Sequence, residues 1–132
     1  MKSKNKQQFV TVINCMDGRT QLPVIKWIRK NYNLSYADTI TEPGPVKIIA
    51  ENKDKNLVKS IKNRVHISVH KHGSKHIFLV AHYDCAGNPV NKEKQLKQLK
   101  KALKNIKKWG YKFDEITALW VGKKWKVEKV KF

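Results

Sequence analysis

Apolar residues along this chain recur with two different spacings. Two short runs, Phe9-Val10-Thr11-Val12-Ile13-Asn14 and Ile77-Phe78-Leu79-Val80-Ala81, carry no charge and are rich in Val, Ile and Phe. Strands buried on both faces of a parallel sheet have this character. Residues 37–41 and 115–121 predict two more strands. Between the strands the spacing widens to that of helices. Leu22, Ile25, Trp27, Ile28 and Tyr32 mark a first helix, opening after Arg19 with Thr20 as N-cap and Pro23 in its first turn, and ending at 31–33. Leu57, Ile61, Val65 and Val69 predict a helix over 56–72 stopped by Gly73. Leu96, Leu99, Ala102, Leu103, Ile106 and Trp109 share one face of a helix over 91–109 stopped by Gly110. Glu42-Pro43-Gly44-Pro45 reads as a rigid loop, and residues 46–50 are apolar without a spacing that assigns them. Trp125 and Val127 alternate with Lys126 and Glu128 after a Gly122-Lys123 turn, as in an antiparallel edge hairpin with one wet face.

Strands alternating with helices predict an α/β, three-layer fold in one domain spanning 1–132. Its central sheet is mostly parallel, with about four parallel strands plus an antiparallel C-terminal edge strand, and helices flank it. In an open α/β sheet ligands bind beyond the carboxyl ends of the strands. The first apolar run leads into Cys15-Met16-Asp17-Gly18-Arg19, and the Ile77–Ala81 run into His82-Tyr83-Asp84-Cys85. Cys15, His82 and Cys85 therefore meet at one sheet edge although Cys15 lies 67 residues from His82 in the sequence. Two thiolates and an imidazole form a three-ligand set suited to zinc, with a fourth position left for water or a carboxylate.

Cys-x-Asp-x-Arg at Cys15, Asp17 and Arg19, followed by His-x-x-Cys at His82 and Cys85 and then Ala86-Gly87, resembles the β-class carbonic anhydrases. The resemblance runs in strand order from about Val10 to Val121, and its specific part is the two motifs. It implies zinc on Cys15, His82 and Cys85, and reversible hydration of carbon dioxide to bicarbonate by a zinc-bound hydroxide. It also implies that Asp17 orients that hydroxide while Arg19 holds Asp17 off the metal through a two-pronged pair that Lys cannot copy. In some members the counterpart of Asp17 closes the site as fourth ligand. The segment that usually reads His-Arg-Asn-Ala-Gly-Asn is Thr41-Glu42-Pro43-Gly44-Pro45 here. Tyr83 and Asp84 read as turn residues, Asp84 also as a hydrogen-bonding neighbour of the ligands. The resemblance leaves a homodimer open, and relatives hydrolysing carbonyl sulfide or carbon disulfide share the same chemistry.

The formal net charge of +19 favours weak, salt-sensitive association with polyanions. Only Arg19, Arg29 and Arg64 among 29 basic residues are arginine, so the forks that read guanine and phosphate are scarce. A solvated lysine surface is the expectation, with weak, nonspecific nucleic-acid binding; a zinc-stabilised basic binding module is the alternative. A reversible Cys15–Cys85 disulfide is a third reading, which does not need His82. His66 and His70 stand at i, i+4, but histidines are also favourable near a helix C-terminus, and no thiol or carboxylate is expected beside them. The first eight residues are polar and basic with no apolar stretch behind them, so a cytoplasmic protein with no membrane segment is expected.

Overall fold

The computed structural model describes residues 9–32 and 36–132. The basic segment 1–8 and the expected helix end at 33 lie outside the described residues. The chain runs β1 (Phe9–Cys15), α1 (Gly18–Tyr32), β2 (Tyr36–Glu42), α2 (Pro45–Glu51), α3 (Lys55–His72), β3 (His76–His82), α4 (Lys92–Lys107), β4 (Glu115–Val121) and β5 (Val127–Val130). The sheet order is β2-β1-β3-β4-β5. The first four are mutually parallel and β5 is antiparallel to β4, as the sequence pattern predicts.

Alternate residues of each strand feed two apolar layers, because side chains alternate across a strand. Val10, Val12, Phe78, Val80, Leu119 and Val121 pack with Val24 and Ile28 of α1. Ile13, Ile77, Leu79, Ala81, Ala118 and Trp120 pack on the other face with α2, α3 and α4, through Ile49, Ile61, Val65, Leu99 and Ile106 among others. Chain connections therefore diverge after β1 and β3: α1 covers one face, and the helices after β2 and β3 cover the other. That is a topological switch point, where a crevice opens between the carboxyl ends of adjacent strands.

Several local expectations are corrected. The first helix begins at Gly18, and Asp17 does the capping: its Oδ1 accepts the Arg19 backbone N–H at 2.9 Å. Thr20 lies inside the helix, buried, its hydroxyl donating to the Asp17 carbonyl at 2.8 Å. Pro23 consequently falls in the second turn rather than the first. Thr20, Val24 and Ile28 form the inward i, i+4, i+8 stripe, which turns Leu22 to solvent at 59% exposure.

Residues 45–51 form a short helix, α2, starting at Pro45, where a missing N–H costs nothing. Trp125 is not in the last strand; its φ of 57° and its N–H to the Gly122 carbonyl (2.9 Å) close a turn, and β5 begins at Val127. Gly73 (φ 72°) ends α3 in the left-handed conformation that glycine adopts without strain.

Candidate metal centre

Cys15 is the last residue of β1 and His82 the last of β3. The turn after β3 carries Cys85 back over the crevice, helped by Asp84 in the left-handed region at φ 57°. Both cysteines and His82 are buried. Their donor atoms lie within 4.8 Å of one another, the two sulfurs 3.8 Å apart. Among the described residues this is the group of three that could hold a metal ion, two of them strand-end residues and the third in the turn that follows β3.

The donor set fits zinc. The Nδ1–H of His82 donates to its neighbour's carbonyl, Tyr83 O, at 2.7 Å, which fixes the tautomer with Nε2 as the lone-pair nitrogen. That Nε2 is buried with no nitrogen or oxygen partner and only the Cys15 sulfur beside it, a weak partner that leaves its lone pair available for a metal ion. Burial works against an imidazolium here, but the Cys15 side chain and the Tyr83 carbonyl outweigh it and raise the His82 pKa.

The sulfurs are arranged as a proton-sharing pair. The Cys85 thiol beside it lowers the Cys15 pKa against the opposing effect of burial, with His82 and the backbone N–H groups of Gly44 and Asp17 adding to the effect. Cys85 moves the other way, pushed up by Cys15 and by burial, while the N–H groups of Gly87 and Asn88 pull it down. Four backbone amides thus face two sulfurs, and such amides favour thiolate. The N-terminus of α1, three residues beyond Cys15, adds its positive dipole end.

Asp17 is not among the gathered donors and is paired with Arg19. Arg19 Nε donates to Oδ1 and Oδ2 at 3.1 and 3.2 Å, and Nη2 to Oδ2 at 2.7 Å. This keeps the Asp17 pKa down at about 2. Arg19 is itself fixed from three sides: Nη1 reaches Asp84 Oδ2 at 3.3 Å, Nη2 reaches the Asp84 carbonyl at 3.1 Å, and the guanidinium lies 4.4 Å from the Trp125 ring centroid. Asp84 therefore does more than shape a turn.

Supporting residues escaped the sequence reading. Gln21 Nε2 donates to the Cys15 carbonyl at 2.7 Å, and the buried Gln95 donates to the His82 carbonyl at 2.8 Å. A pinned helix thus grips each strand end, and no spacing in the sequence marks a glutamine for this. Gly44 and Gly87 interlock the two loops around the sulfurs. A Cβ on Gly87 would stand 2.6 Å from the Pro43 carbonyl carbon, and one on Gly44 would stand 3.0 Å from Asn88 Cβ. The histidines of α3 and β3 do not gather into a second site. His66 Nδ1 contacts the Tyr111 hydroxyl at 3.2 Å and stacks near His70. Two others each meet a carboxylate, separately: Asp38 meets His72 at 2.7 Å and Glu115 meets His76 at 3.6 Å.

A parallel sheet with a thiol–imidazole–thiol set at its switch point defines an α/β protein with a metal-competent centre. The chain belongs to the sequence family described as "Putative carbonic anhydrase", which it matches over residues 5–131. It is thus a carbonic anhydrase-like protein. No curated protein matches it. None of its helices in the described residues is long and apolar enough to cross a membrane.

Proposed function

We propose that the protein is a zinc enzyme hydrating carbon dioxide reversibly to bicarbonate. The observation that carries this reading is the buried His82 Nε2, with no nitrogen or oxygen partner, beside two thiols. A redox pair would need the sulfurs alone, and a surface-binding module would need no such nitrogen. Cys15, His82 and Cys85 would hold the metal. Zinc in such a site supplies hydroxide at neutral pH by lowering the pKa of water from 15.7 to about 7.

The residues around the donors supply the rest. Asp17, ionised at any physiological pH, is the acceptor that fixes the direction of the nucleophile's proton. Arg19 keeps that carboxylate from becoming a ligand, since both of its oxygens are engaged. Structural zinc sites close with four protein ligands, whereas here three donors gather and the nearby carboxylate is withheld. That supports an open position for substrate. Membership of the carbonic anhydrase-like family agrees with this.

The experiment is metal analysis of the reduced protein coupled to stopped-flow carbon dioxide hydration across pH. About one zinc per chain and a rate rising with pH near 7 are expected. Full metal retention in Cys85→Ser, or activity no greater than that of free zinc, would overturn the proposal.

A further inference from the structure

A groove of about 880 Å³ opens between the segment leading from Tyr83 to Lys92 and the turn joining β4 to β5. Its walls include Ala86, Pro89, Val90 and Trp120, and Cys85 also lines it, so it adjoins the metal centre. Sites for small organic molecules occupy roughly 300–1,000 Å³ and are mainly apolar with a few placed polar groups. Carbon dioxide and bicarbonate, at three and four heavy atoms, would leave almost all of this space empty.

The charges around the groove say what would fill it. Lys92, Lys123, Lys124 and Lys126 line it, against Asp84 and Glu128. Asp84 is occupied by Arg19 and Glu128 by Lys92, at 3.3 and 3.4 Å. Lys123 lies over the Tyr83 ring at 5.7 Å. Lys124 and Lys126 have no carboxylate partner among the described residues. An apolar wall thus adjoins three lysines without a carboxylate partner, of which Lys123 lies over an aromatic ring and Lys124 and Lys126 do not, complementary to one kind of molecule.

We propose that this groove is a binding site for an amphipathic organic anion. An aromatic or acyl body would lie against Pro89, Val90 and Trp120, and its carboxylate or sulfonate would meet Lys124 and Lys126. Although the groove adjoins the metal centre, the proposal does not depend on the hydration chemistry, since the contacts that define it are to Pro89, Val90, Trp120, Lys124 and Lys126.

The test is a fluorescence titration of the full chain at 150 mM salt with 8-anilinonaphthalene-1-sulfonate, beside its uncharged relative N-phenyl-1-naphthylamine. Saturable binding at one site per chain is expected, with the uncharged compound much weaker. Reversing the two charges that would meet the sulfonate, Lys124→Glu with Lys126→Glu, should weaken its binding by roughly tenfold or more. The same reversal on the outer face of α4, Lys100→Glu with Lys101→Glu, should change it less than about twofold, as exposed charges a Debye length away are screened. Ala86→Trp, which fills the groove without altering charge, should abolish binding. Equal losses in the two charge-reversed proteins would assign the binding to the overall +19 field and overturn the site. So would equal affinity for the uncharged compound, or full binding in Ala86→Trp. A dimer in sedimentation that excludes the probe would give the groove to a second copy of the chain instead.

Discussion

Arg19 engages both carboxylate oxygens of Asp17 and, in addition, Asp17 Oδ1 accepts the Arg19 backbone N–H. One side chain is thereby a helix cap and an ion-pair partner at once, and it is left no free rotation toward the sulfurs. Arg19→Ala removes the grip from the guanidinium alone. The expected result is retained zinc with carbon dioxide hydration reduced by roughly 10²-fold or more, the scale on which positioned proton acceptors act. Arg19→Lys should recover little, because an ammonium cannot span two oxygens. Metal content and stopped-flow rate, measured together, check both variants.

Asp17 also predicts an acid dependence of stability. Its folded pKa of about 2 lies below the unfolded carboxylate value of about 3.9. A depressed carboxylate stabilises the fold above the unfolded value, and that contribution fades as pH falls toward the folded one. The stability difference between wild type and Asp17→Asn should therefore be constant from pH 7 to about 5 and shrink between about 4 and 2. Urea unfolding of both proteins at pH 7, 4 and 2.5 reads this directly; a difference that grows on acidification would refute it.

Zinc should act as a stabilising ligand of the folded chain. At free zinc a hundredfold above its dissociation constant, linkage gives about 2.7 kcal/mol, which for a domain of this size means a rise in Tm of several degrees. Cys85→Ser and His82→Ala should each lose most of that rise. Chelation of the wild type should bring its Tm down to that of the metal-free protein, as scanning calorimetry would record.

The expectations that held and those that failed differ in the range of the forces involved. Charge-free, largely apolar runs fixed β1 and β3, because burial on both faces excludes unpaired charge while tolerating hydrogen-bonded polar residues such as Thr11, and with them the positions of Cys15 and His82. The start of α1 lies earlier than expected because Asp17 caps the helix, a role hidden when the residue is read for its chemistry alone. Alternation alone places Trp125 in a strand, whereas the turn from Gly122 that sets its left-handed backbone and its tertiary contact with Arg19 leave no mark in that pattern. Gln21 and Gln95 resembled any polar helix residue. Their partners are main-chain carbonyls, which leave no trace in the identity of the residues they belong to.

Gly87 gives a prediction independent of catalysis. Any side chain there meets the Pro43 main chain, at 2.6 Å for a bare Cβ, and main chain cannot step aside as a flexible side-chain tip can. Gly87→Ala should cost about 1–3 kcal/mol in denaturant unfolding and should weaken zinc retention through the displaced Cys85. A variant as stable as wild type would show that the two loops are free to separate.

The two sulfurs stand 70 residues apart in sequence and meet only where β1 lies beside β3. The donor set is complete only after roughly half the chain has been made and the two strands have paired, and sequence-distant strand pairing is slow. A metal ion held by Cys15, His82 and Cys85 would therefore have its full ligand set only once β1 and β3 have paired. Damage anywhere along β2, α2 or α3, none of which carries a ligand, should surface during synthesis as protein that is made but poorly metallated.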